Sequence, residues 1–91
     1  MLKVTKRLKG FKSIENLAPN QTIVYFENGS LFQSYNSIIA VRLRTKAKET
    51  TYIGKDWEYS NTTGKYRNQY LGEDKKTTQS KIDSKEYKYK G

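Results

Sequence analysis

The sequence has no cysteine, no histidine and a single proline. Without cysteine it can form no disulfide, offer no thiolate nucleophile and build no sulfur-ligated metal site. Without histidine it lacks an imidazole base, a Ser-His or Cys-His pair, and the usual ligand of zinc or non-haem iron. Acidic side chains are scarce: nine Asp and Glu stand against 18 Lys and Arg, a formal net charge of +9 in 91 residues. Asp56 and Glu58 beside Lys55 could be forced into a two-metal nuclease arrangement, but such a centre needs several convergent acids. Glu73 and Asp74 are adjacent and read as helix caps. Gly54, Gly64 and Gly72 fit neither the dinucleotide nor the P-loop spacing. The expectation is a protein that is not an enzyme, with no catalytic residue, no cofactor and no metal. Long apolar runs are also missing. Nothing approaches the ~18 residues of a membrane span, and no apolar core of a signal peptide follows the basic start. The chain is therefore expected in the cytoplasm, away from membranes.

What remains is basic and aromatic. Hydrophobic residues make up 34 %, and low hydrophobicity with high net charge marks disorder. Eight Tyr, three Phe and one Trp oppose that, because they are costly to leave in water. The length fits one domain. Residues 1–12 carry Lys3, Lys6, Arg7, Lys9 and Lys12 with no acid and read as a basic, frayed arm, in which Leu2 and Val4 alternate with charge like a short strand. Residues 13–91 read as a single α+β domain. Ser13 caps one turn over Ile14–Leu17, which Pro19 ends.

Thr22–Glu27 is β-branched and aromatic, and Asn28-Gly29 follows it, the strongest short signal for a hairpin with a type I′ turn. Such a turn pairs Glu27 with Ser30, Phe26 with Leu31 and Tyr25 with Phe32. Ile23, Tyr25 and Phe32 then share one face, and Val24, Phe26, Leu31 and Tyr35 the other. Both faces are partly apolar, so both need a cover. Ile38–Arg44 makes a third strand with Ile39, Val41 and Leu43 on one face, and Thr51–Ile53 a fourth. From Ser60 the period changes. Ser60 or Asn61 caps a helix that runs to Leu71, with Tyr66 stacked on Tyr70 and Gly72 as its terminator. Asp74 caps a second helix over 75–84, and Glu86–Lys90 alternates like an edge strand. The fold class is α+β: an antiparallel meander of three to five strands with two short C-terminal helices packed on one face.

The series Thr22–Gly29, Ser34-Tyr35, Ile39–Val41, Trp57-Glu-Tyr-Ser-Asn-Thr-Thr63, Lys65-Tyr66, Asn68-Gln-Tyr-Leu-Gly72, Lys81-Ile82 and Lys85–Tyr87 resembles a small uncharacterised domain of tailed phages and prophages. In that family the run from Trp57 to Gly72 reads W-(D/E)-Y-S-x-T-T-x-K-(Y/H)-x-x-Q-(F/Y)-L-G. The resemblance covers about residues 20–88 and leaves out the arm. It implies a phage-type accessory protein of the host cytoplasm and no catalytic residue.

Two surfaces compete for a partner. Arg42, Arg44, Lys46 and Lys48 are spaced by two. On a continuing strand they project from one face over about 20 Å, a reach that matches several phosphates. Lys3, Lys6, Arg7 and Lys9 extend that surface toward nucleic acid or the nucleic-acid-facing part of a host nucleoprotein. The bland reading is a solvated face that keeps a small protein soluble. The second surface is Trp57, Tyr59, Tyr66, Arg67 and Tyr70. It suits a protein–protein interface with a host defence protein such as a CRISPR nuclease, which would make the chain an anti-CRISPR-like inhibitor. The same aromatics can equally be the core. The two-sided hairpin and strand-like tail leave room for a homodimer.

Overall fold

The structure, a computed structural model, describes residues 3–90. Six strands form one sheet in sequence order: β1 (Phe11–Ala18), β2 (Gln21–Phe26), β3 (Gly29–Ser34), β4 (Ser37–Arg44), β5 (Glu49–Gly54) and β6 (Lys88–Lys90). The first five are an antiparallel meander. β6 then joins β5 in parallel, after α1 (Asn61–Leu71) and α2 (Lys75–Asp83). A parallel neighbour needs a crossover, which the two helices supply. The class is α+β as expected. The strand count exceeds the expected three to five, and the last pairing is parallel.

The unexpected strand is β1, read above as a capped turn. Pro19 and Asn20 instead make the tight connection to β2, with Asn20 at φ 63, a left-handed conformation that asparagine tolerates. Every residue from Phe11 to Asn16 is exposed, so β1 carries no two-residue hydrophobic period.

The β2–β3 hairpin is set two residues away from the type I′ expectation. Phe26 faces Gly29, Tyr25 faces Ser30 and Ile23 faces Phe32. Glu27 and Asn28 form the turn, and neither has positive φ. Gly29 is needed elsewhere: a Cβ there would collide with the Arg42 carbonyl oxygen of the next strand. A slip of two keeps side-chain parity. Ile23, Tyr25 and Phe32 therefore still share one face, and Val24, Phe26 and Leu31 the other. Tyr35 leaves that set; it sits at φ 55 in the turn before β4. In β4 the register shifts between Phe32–Ala40 and Gln33–Ile38, which makes Ile39 the extra residue of a bulge. Ile39 thus joins Ala40 on one face instead of Val41 and Leu43 on the other.

Each face has its own core. On the helix face, Ile23, Phe32, Ile39, Ala40 and Ile53 pack with Trp57, with Tyr70 and Leu71 of α1, and with Tyr87. On the opposite, arm face, Leu8 packs with Leu31, Val41 and Leu43. Its cover is a 3₁₀ helix, Lys3–Arg7, which lies against β4 and contributes Val4. Val4 is thus helical, and Leu2, its partner in the strand reading, lies outside the described residues.

The helices end where local chemistry directs. The Ser60 hydroxyl accepts the Thr63 N–H. Gly72, at φ 73, donates its N–H to the Asn68 carbonyl. The Asp74 carboxylate accepts the Thr77 N–H at 2.8 Å. These are an N-cap, a left-handed C-cap and a second N-cap.

Candidate functional site

The four evenly spaced cations do not form one stripe. Arg42 points from β4 to the end of α1, donating to the carbonyls of Tyr70 (3.3 Å) and Leu71 (3.0 Å). Its guanidinium also lies 5.2 Å from the centre of the Tyr70 ring. A helix C-terminus leaves carbonyls unpaired and carries the negative end of the macrodipole, so Arg42 is the cation that closes α1. Arg44 is exposed at the last position of β4, where it donates to the Glu27 carbonyl at 2.7 Å. The strand stops there. Thr45 N–H bonds the Lys48 carbonyl at 2.9 Å, turning the chain so that Lys46 and Lys48 sit in an exposed loop.

Asn28 connects this loop to the arm. Its side-chain oxygen accepts the Lys9 N–H (2.8 Å) and its amide donates to the Arg7 carbonyl (2.9 Å). Its own carbonyl accepts the Arg44 N–H (2.8 Å). The Glu27 N–H is shared by the carbonyls of Lys9 and Gly10. One asparagine therefore gathers the arm, the β2–β3 turn and the end of β4 at one end of the sheet. Lys3, Lys6, Arg7 and Lys9 of the arm are exposed, as are Arg44 at the strand end and Lys46 and Lys48 in the loop after it. On the helix side, Lys12, Tyr25, Ser30, Arg42, Arg44 and Glu49 line an open groove of about 510 Å³.

The charge is unevenly divided along the chain. Residues 1–48 hold nine basic and two acidic side chains; residues 49–91 hold nine and seven. The ion pairs among the described residues follow the second group: Glu58–Lys75 (2.7 Å), Glu73–Lys81 (2.9 Å) and Glu86–Lys81 (4.0 Å). None involves a basic residue between Lys3 and Lys48.

The aromatic set is mostly core. Trp57 and Tyr70 are buried. Arg67 is 2 % exposed, donates to the Trp57 carbonyl at 2.6 Å and to Asn68 Oδ1 at 2.9 Å, and lies 5.0 Å from the Trp57 ring centre. Burial pulls the Arg67 pKa down, against the carboxylates of Glu58 and Glu73. Tyr70 stacks on Phe32 at 5.8 Å, in place of the expected partner Tyr66, and its hydroxyl meets the Ser30 hydroxyl at 2.7 Å. Burial pushes that phenol up to about 12. Tyr66 is half-buried under Lys65. Tyr59 alone of the set is well exposed, tilted against Tyr35 at 5.8 Å.

Two exposed apolar residues escaped the sequence reading: Phe11 (62 % exposed) and Ile14 (55 %), both on β1. The signal available was an aromatic residue within the acid-free arm, between Lys9 and Lys12.

Residues 12–86 match the model of a family of unknown function, DUF8033. The chain belongs to this family. The DUF8033 match spans both helices and the Trp57–Gly72 run, and leaves Lys3, Lys6, Arg7 and Lys9 outside it. No curated protein and no solved structure matches the chain.

Proposed function

We propose that the protein is a non-enzymatic accessory module that binds nucleic acid, or the nucleic-acid-facing part of a host nucleoprotein, through the basic end of its sheet. The observation that carries this reading is that Asn28 ties the arm, at Arg7 and Lys9, to the end of β4 at Arg44, while Lys3, Lys6, Lys46 and Lys48 are exposed on those same segments and none of the seven cations has an ion pair among the described residues. Uncompensated, solvent-facing cations of this kind bind phosphates by releasing counterions. The helices serve as scaffold on the opposite face. The resemblance to phage and prophage domains is what supports a host cytoplasm as the setting for this work. A defence-enzyme inhibitor anchored on Trp57, Arg67 and Tyr70 is less well supported, because those three side chains are buried.

The test is fluorescence anisotropy with labelled oligonucleotides over a salt series. The logarithm of affinity should fall linearly with that of salt, by about 0.7–0.9 per phosphate contact. A Lys6→Ala, Lys46→Ala, Lys48→Ala variant should flatten that slope by about two to three units. Its fold should be intact, since all three side chains are exposed. Unaltered binding by this variant would remove the basis of the reading.

A further inference from the structure

The arm-side face of the sheet is covered over only part of its width. The 3₁₀ helix lies against β4, and Leu8 fills the space over Leu31, Val41 and Leu43. The β1–β2 margin of the same face stays open. There Phe11 stands edge-on to Phe26, with ring centres 6.4 Å apart and planes at 83°. Ile14 lies directly opposite Val24 on the neighbouring strand, so both project to this face. Phe26 and Val24 are half-buried at the edge of the arm-face core, while Phe11 and Ile14 are largely in solvent. The result is an apolar ledge. The 3₁₀ helix on the same face of the sheet exposes Lys3, Lys6 and Arg7, and Lys9 stands two residues from Phe11.

An aromatic face beside a row of cations suits a ligand with flat apolar faces and a phosphate backbone. Bases inside a duplex are stacked on one another and cannot use Phe11, whereas unpaired bases can. A second copy of the chain is disfavoured, because pairing these margins would bring two basic arms of the same sign together. We infer that the ledge binds a single strand of DNA or RNA, with a base stacked on Phe11 and neighbouring phosphates met by Lys3, Lys6 and Lys9. This rests on the nucleic-acid reading above and narrows it to single strands.

The experiment compares anisotropy on labelled single-stranded deoxy- and ribo-oligonucleotides with that on the matching duplex. The proteins compared are wild type, Phe11→Ala and Phe11→Tyr. Phe11→Ala should weaken single-strand binding about tenfold, leave duplex binding within about twofold, and be largely rescued by Phe11→Tyr. In Phe11→Trp, indole emission should be quenched by a single strand and much less by the duplex; the native Trp57 is buried and contributes a constant background. Single-strand affinity unchanged in Phe11→Ala, or an equal loss on duplex, overturns the inference and leaves the wider nucleic-acid reading intact. Absence of salt-dependent binding to any of the three probes overturns both. Sedimentation showing a wild-type dimer that Phe11→Ala dissociates overturns the inference in favour of a copy–copy interface.

Discussion

On the helix face three basic side chains are built into the fold; on the arm face four stand outside it. Arg42 closes the end of α1, Arg67 lies under Trp57, and Lys81 joins Glu73 and the Tyr87 ring. Each has carbonyls, carboxylates or rings as partners, and each sits where a cation is required. Across the sheet, Lys3, Lys6 and Arg7 stand on a short 3₁₀ helix and Lys9 just beyond it, and the anchors of this segment are the apolar residues Val4 and Leu8. The two groups are alike in residue type and differ in what surrounds them. Net charge is thus a poor guide to a binding surface until the cations that hold the molecule together are set aside.

Substitutions test that division directly. The largest effect should come from Arg67→Ala. It empties a buried site and leaves the Trp57 carbonyl without its donor, at a cost of about 3–5 kcal/mol. In a protein this small that is enough to unfold it, and circular dichroism at 25 °C would show the loss of helix. Next is the pair Arg42→Ala and Arg44→Ala. The first uncovers the C-terminal carbonyls of α1 and should cost about 2 kcal/mol, roughly 10 °C in Tm. The second removes an exposed side chain and should cost under about 0.5 kcal/mol. Equal losses would mean that the two arginines are not divided as described.

An effect smaller than that of Arg42→Ala is expected at Glu73, which accepts from Thr78 (2.6 Å), Lys81 (2.9 Å) and Tyr87 (2.8 Å). Burial raises its pKa, but those three hydrogen bonds outweigh burial and hold the carboxyl below its ordinary value. A carboxyl that titrates lower in the folded chain stabilises fully above its unfolded pKa, and that contribution is lost as pH falls through the folded pKa. Glu73→Gln should therefore cost about 1 kcal/mol at neutral pH. Thermal melts of the two proteins should converge as pH falls below the ordinary carboxylate range.

Much of the helical half was readable beforehand because caps are local. Ser60, Gly72 and Asp74 act on residues within a turn of themselves, and α1 and α2 begin and end within a residue or so of where those three side chains direct. The strands were harder wherever a distant group decides. The identity of Asn28 suggested a hairpin turn, but the arm occupies its side chain and the Arg42 carbonyl claims the space at Gly29. β1 gave no periodic signal because its residues from Phe11 to Asn16 are all exposed. The basic stripe failed for a related reason: even spacing places side chains on one face only while the strand lasts, and it stops at Arg44. No local pattern announces that Arg42 and Arg67 are structural, since Arg42 meets the far end of α1 and Arg67 reaches back beyond its own helix to Trp57.

The parallel pairing of β6 with β5 also orders events in time. Every other pair of strands is joined by a short turn, whereas Tyr52 must wait for Lys88 until both helices have been made. During synthesis the meander can assemble while residues 57–87 are still being made. Throughout that interval Ile23, Phe32, Ile39 and Ile53 have only a bare sheet surface to share. The nascent chain is then at its most adhesive, and emergence of the last thirty or so residues shields it.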